Sequence, residues 1–137
     1  MSSPADLLAS VRRVAVLGIK TEAQADQPAF YVPQYLQRAG LEVVPVPVYY
    51  PDATEILGAR VYRKLVEIPG EIDLVDVFRR PSDLEAHEAD ILAKKPRIVW
   101  FQSGIRHEGL AKRLEAAGIT VVQDRCLMVE HRAYASR

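Results

Sequence analysis

The chain has 137 residues, 49% of them hydrophobic and 26% charged, and its 18 basic side chains are balanced by 18 acidic ones. That length predicts one domain over residues 1–137 with a full core, and that composition excludes both disorder and a disulfide-held mini-fold. The charges are even in both halves and Cys126 is a single cysteine, so neither a nonspecific nucleic-acid binder nor an internal disulfide is expected.

The opening Met1-Ser2-Ser3-Pro4-Ala5-Asp6 lacks a basic region followed by an apolar stretch, and no window approaches the ~20 apolar residues of a membrane span. A cytoplasmic protein without a membrane partner is the expectation. Short apolar runs rich in β-branched residues follow at 14–17, 43–46, 74–78, 98–101 and 120–122, and they read as buried strands. Between the first two, residues 30–39 place Val32, Leu36 and Ala39 on one face, with Gly40 as the stop, which predicts a helix. Pro28 suits the first turn of that helix. Pro45, Pro47 and Pro51 mark where pairing of the second strand ends.

In residues 52–69, Thr54-Glu55-Ile56-Leu57 reads as a turn of helix and Arg60-Val61-Tyr62 as a short edge strand, the sixth. Pro81-Ser82-Asp83-Leu84-Glu85 signals a helix start, with the helix running to about residue 95 before Pro96. Residues 107–117 put Leu110, Leu114 and Ala117 on one stripe ahead of Gly118. Strands alternating with helices predict an α/β, single-domain Rossmann-type doubly wound sheet, with five to six mostly parallel strands and helices on both faces.

In such a sheet the ligand crevice lies beyond the carboxyl ends of the strands. The first loop lacks the G-x-G-x-x-G dinucleotide fingerprint, because Lys20 and Ala23 follow Gly18 at the other two positions. The second strand ends Val44-Pro45-Val46-Pro47-Val48, without the carboxylate that grips ribose hydroxyls. A ribose bearing a phosphate would be repelled by that carboxylate, and coenzyme A (CoA) carries one on its 3′ oxygen. Lys20, Arg79, Arg80, Arg106 and Arg125 all fall in or beside the crevice loops, giving local positive charge in a neutral chain.

Each of these residues also has a simpler reading. Gly18 serves any tight strand-to-helix turn. Arg79 and Arg80 have Asp73, Asp76 and Asp83 as ion-pair candidates. Arg106 reads as a surface charge at a helix end, and His87 and His107 as surface residues on helices. His131 reads as packing or hydrogen bonding in the C-terminal segment, Trp100 as core, and Cys126 as a buried small apolar residue. Tyr49 and Tyr50 offer stacking surfaces. No catalytic set and no metal-ligating spacing emerges.

Three blocks are more specific: Val75-Asp76-Val77-Phe78-Arg79-Arg80-Pro81; Val99-Trp100-Phe101-Gln102-Ser103-Gly104-Ile105; and Asp124-Arg125-Cys126 followed by Glu130-His131. Through them the chain resembles, over about residues 11–132, the small stand-alone CoA-binding proteins, whose fold is shared with the CoA-binding domain of the succinyl-CoA synthetase α subunit. The resemblance implies that Gly18, Ile19, Lys20 and Thr21 wrap the nucleotide phosphates and that Val46, Pro47 and Val48 border the adenine or its ribose. It also implies that Phe78, Arg79, Arg80, Gln102, Ser103 and Gly104 line the remaining cleft, with Cys126 a candidate neighbour of the pantetheine end. Relatives commonly have Ser where this chain has Ile19, and Val-Asn-Pro where it has Val46-Pro47-Val48. The expected function is binding of CoA or an acyl-CoA, a small-molecule partner, without catalysis. Three other readings stay open: a ligase-like enzyme or enzyme subunit acting on acyl-CoA, an NAD(P)-binding protein, and a regulatory protein reporting CoA status.

Overall fold

A computed structural model describes residues 3–137. Its strands are β1 (Arg13–Leu17), β2 (Glu42–Val46), β3 (Glu55–Ile56), β4 (Ala59–Arg60), β5 (Leu74–Val77), β6 (Ile98–Phe101) and β7 (Thr120–Val122). Its α-helices are α1 (Pro28–Arg38), α2 (Glu88–Lys94), α3 (Glu108–Ala116) and α4 (Leu127–Ala135). Five strands pair in parallel in the order β2-β1-β5-β6-β7.

Strands β5 and β6 bury every residue, as continuous apolar runs do at the centre of a sheet covered on both faces. Alternation along the strands sorts the core in two. Ala15, Leu17, Val75, Val77, Val99 and Phe101 pack with Leu84, Ile91, Leu110 and Leu114 from the α2 and α3 side. Val14, Val16, Leu74, Ile98 and Trp100 pack with Phe30, Val32, Leu36 and Leu127 from α1 and α4. The doubly wound architecture is thus the direct consequence of five short strands whose two faces are both apolar.

The predicted sixth strand and helical turn in residues 52–69 are corrected by the structure. Glu55–Ile56 and Ala59–Arg60 form a separate antiparallel hairpin, turned by Leu57 and Gly58, both at positive φ. The Tyr62 N–H still donates to the Pro45 carbonyl at 3.0 Å, so this segment flanks the edge of β2 without adding a strand to the sheet. Pro81 opens a 3-10 turn, Pro81–His87, before α2 begins. Helix α4 has no counterpart among the predicted elements. His131, on α4, is buried and shares a 2.8 Å hydrogen bond with the Tyr35 hydroxyl of α1. His87 and His107 are not simple surface residues: His107 caps α3 by accepting the Leu110 N–H at 3.0 Å, and His87 accepts a hydrogen bond from Arg79. Among the described residues, no helix is long and apolar enough to cross a membrane.

Two features of the core carry consequences. Gly18, at φ +89°, ends β1 so close to β5 that a Cβ there would lie 2.2 Å from the Phe78 carbonyl oxygen. Gly40, at φ +100°, has open space around its Cβ position. Gly18→Ala should therefore cost about 3 kcal/mol of unfolding free energy and Gly40→Ala about 1 kcal/mol, because only the first adds a backbone clash to the positive-φ penalty. Urea denaturation of the two variants checks this, and equal losses would contradict it.

Asp76 lies mid-strand between Val16 and Trp100, fully buried, and neither carboxyl oxygen has a hydrogen-bond partner among the described residues. Burial pushes its pKa well above the usual 3.8. An acid with a raised folded pKa holds its proton more tightly folded than unfolded, so it lowers stability as pH rises from about the unfolded value towards the folded one. Asp76→Asn should raise unfolding free energy by more than about 1 kcal/mol at neutral pH, and the advantage should shrink as pH falls towards 4. Denaturation curves at several pH values test this; an advantage independent of pH would show an unshifted carboxyl.

Candidate functional site

The chain leaves β1 towards β2 on one side and returns to β5 on the other, so the order reverses between the carboxyl ends of β1 and β5. That reversal opens the crevice where open α/β sheets hold ligands. Here the backbones meet: the Gly18 N–H donates to the Val46 carbonyl and the Phe78 N–H to the Leu17 carbonyl, both at 2.9 Å.

The loop after β1 is fixed by a property of α1. Pro33, inside the helix, has no N–H to give to the Ala29 carbonyl four residues earlier. That carbonyl instead accepts the backbone N–H of Lys20 at 3.1 Å. The first loop is thereby tied to the opening turn of α1, whose first residue is Pro28. The Lys20 ammonium in turn donates to the Gln27 side-chain oxygen.

A cleft of about 560 Å³ opens at this point, within the usual size range of small-molecule sites. It brings together Gly18, Lys20, Phe78, Arg79, Arg80, Gln102, Ser103 and Gly104 from the predicted set. Pro28, Ala29, Tyr31, Ile105 and Cys126 complete an apolar lining, while among the described residues three cations and no carboxylate line it. Arg79 is largely covered: its Nε donates to His87 Nε2 at 3.1 Å, and its Cζ lies 5.8 Å from the centre of the Tyr49 ring. Arg80 is mostly exposed and pairs with Asp83 at 3.1 Å.

The far lip is built from the end of β6 and the loop that follows it. Trp100, within the core, donates its indole N–H to the Arg125 carbonyl at 2.8 Å. Gln102 is buried, and its side-chain oxygen accepts the first N–H of α4, from Leu127, at 3.1 Å. Gly104, at φ +81°, turns the loop, and its N–H donates to Asp124 Oδ1 at 2.7 Å. These bonds set Cys126, the residue before α4, against the cleft.

The other predicted residues lie elsewhere. Ile19 is buried in the core on the α1 side. Thr21 caps the 3-10 turn Glu22–Gln24, its hydroxyl 2.8 Å from the Gln24 side-chain oxygen. Val46 is buried on the opposite face. Pro47 and Val48 border a second cleft of about 640 Å³, shared with Arg63, Lys64, His87 and Asp90. Arg106 and Arg125 turn to Glu108 and Glu130, at 2.8 Å and 3.7 Å, so the crevice cations number fewer than the sequence suggests. Gln27, Ala29 and Tyr31 were missed by reading loops alone, although the position of Pro28 at a helix start marks that turn. Among the described residues, no group of three or more His, Cys, Asp and Glu side chains is placed to hold a metal ion.

Residues 12–132 match the family described as CoA binding domain. YneT of Bacillus subtilis (strain 168) is 33% identical over 126 residues, spanning 92% of this chain and 90% of that protein. The structure of cell-free ID.343 from Thermus thermophilus superposes with a TM-score of 0.85 at 42% identity, covering 93% of each chain. The same fold recurs, at 18% identity and a TM-score of 0.71, in the dinucleotide-forming acetyl-coenzyme A synthetase 1 of Ca. Korarchaeum cryptofilum, where 86% of this chain corresponds to 27% of that one. The chain belongs to the CoA binding domain family.

Proposed function

We propose that this protein binds CoA or an acyl-CoA in the crevice above β1 and β5 and performs no chemistry on it. The observation that carries the reading is the lining of the first cleft: Lys20, Arg79 and Arg80 face it with no carboxylate among them, over an apolar floor that includes Phe78 and Ile105. Phosphates sit against the cations and the opening turn of α1, where helix amides favour negative charge. The pantetheine arm runs over the apolar floor towards Cys126. The adenosine extends towards Pro47 and Val48, where the absence of an acidic residue at the end of β2 leaves room for a phosphorylated ribose.

The lining also supports binding without turnover. Among the described residues His, Asp and Glu are absent from it and the Lys20 ammonium is engaged with Gln27, which leaves Ser103 and Cys126 without a carboxylate or imidazole base in the cleft. A free thiol as the single cysteine suits a reducing, cytoplasmic setting.

Isothermal titration with CoA, CoA lacking the 3′-phosphate, and NADH tests the reading. CoA should bind about tenfold or more tightly than either alternative, the difference expected for one charge-assisted phosphate contact. Lys20→Ala should weaken CoA binding by a similar factor. Incubation with acetyl-CoA and ATP should leave both unchanged. Equal affinity for CoA and NADH would overturn the ligand, and turnover would overturn the absence of catalysis.

A further inference from the structure

Arg79 and His87 form the wall between the two clefts. Arg79 faces the first cleft and His87 the second, and the 3.1 Å bond from Arg79 Nε to His87 Nε2 joins them. On its other sides Arg79 packs against the backbone at Gly18, where a glycine Cβ would come within 3.3 Å of its Cδ, and against the Tyr49 ring. The guanidinium is planar, so fixing its Nε fixes the plane of its terminal nitrogens; Nη2 lies 3.8 Å from Asp83 Oδ2, and the remaining terminal N–H groups are of the kind that recognise phosphate. We infer that His87 is a positioning residue: its neutral ring accepts the Arg79 Nε–H and holds the guanidinium fork at the first cleft for a phosphate of the bound ligand. The inference rests on the CoA reading above and names how that site is regulated.

Accepting at Nε2 requires the neutral ring with its proton on Nδ1. The charged groups facing His87 are Arg79 from the loop after β5, Asp83 from its own 3-10 turn and Asp90 from α2, with Arg63 and Lys64 on the same cleft. Most of these are committed elsewhere. Asp90 accepts the Leu65 and Val66 amides at 2.8 and 3.1 Å. Arg63 donates to the carbonyls of Tyr49, Tyr50 and Ala53. Asp83 is closer to Arg80 than to Arg79, 3.1 Å against 3.8 Å. Burial and the Arg79 charge lower the His87 pKa from the ordinary 6.5, so the ring is neutral at pH 7. Acidification through that lowered value removes the acceptor and sets two cations side by side, which releases Arg79.

The test is CoA affinity by titration calorimetry between about pH 8 and about pH 5, the range over which histidine charge changes. The wild type is compared with His87→Ala, His87→Gln and Arg79→Ala. At neutral pH, His87→Ala should weaken CoA binding about tenfold, the effect of one lost charge-assisted hydrogen bond, and His87→Gln should recover most of it through its side-chain oxygen. The wild type should lose more affinity on acidification than His87→Gln does. The loss that remains in His87→Gln belongs to the ligand's own phosphate, so the difference isolates the histidine. In the Arg79→Ala background the alanine and glutamine variants should bind alike. Wild-type binding of CoA with equal affinity in His87→Ala, or with a pH profile shared by His87→Gln, overturns the positioning role and leaves the ligand reading intact. Failure of the wild type to bind CoA at any pH overturns both.

Discussion

The site depends on the contact between Gly18 and the Phe78 carbonyl. A ligand at the switch point of an open sheet needs the loops after β1 and β5 to share one wall, and here the two backbones approach to a distance that excludes any side chain at residue 18. The next fixed point follows from Pro33. Because it leaves the Ala29 carbonyl free, the Lys20 amide finds a backbone acceptor and the first loop cannot swing away from α1. The placement of a cation at the cleft mouth therefore rests on backbone geometry, with its side-chain hydrogen bond to Gln27 added on top.

The opposite lip is held differently, by polar atoms reaching out of the core. Trp100 and Gln102 occupy alternate positions at the end of β6, yet both spend their hydrogen-bonding groups on the segment leading into α4. Each satisfies a backbone group that would otherwise be left open where the chain turns back over the sheet. Asp76 is the exception among the buried side chains of the described residues, since its two oxygens find no donor there. It sits two residues before Phe78, on the strand that leads to the cleft floor.

The five sheet strands were legible because continuous β-branched runs have few alternatives, and their loops followed from the topology. The β3-β4 hairpin was not, since its two-residue strands carry no periodicity and its turn uses Leu57 at positive φ, in place of the Asn-Gly or Asp-Gly that signals such turns. Helix α4 lacks a Ser, Thr, Asp or Asn cap, with Cys126 at that position, so its start gave no local signal. Of the residues expected at the site, Gly18, Lys20, Phe78, Arg79, Arg80, Gln102, Ser103 and Gly104 line one cleft and the others lie elsewhere. Ile19 points into the core one step past Gly18, Thr21 is taken up in capping, Val46 is buried in the core on the other face of the sheet, and Pro47 and Val48 border the second cleft. The pairing of Arg79 with His87 spans a 3-10 turn, whose geometry no propensity in that stretch announces.

Elsewhere on the surface several basic residues are matched to carboxylates: Arg13 to Glu42, Arg97 to Asp73, Arg113 to Glu85 and Glu88, Arg125 to Glu130. At the cleft Arg80 keeps a carboxylate partner in Asp83, which also lies 3.8 Å from Arg79, whereas Lys20 is held by an amide oxygen and the Arg79 Nε–H by an imidazole nitrogen. A carboxylate acceptor fixes a cation and cancels its field; a neutral acceptor fixes it and leaves the field to the cleft. In a chain with no net charge, such acceptors leave more of the charge of Lys20 and Arg79 to the cleft than carboxylates would, which suits the proposed phosphate contacts. It also explains why a histidine fits beside Arg79, since it is the one acceptor whose neutrality depends on pH near the physiological range.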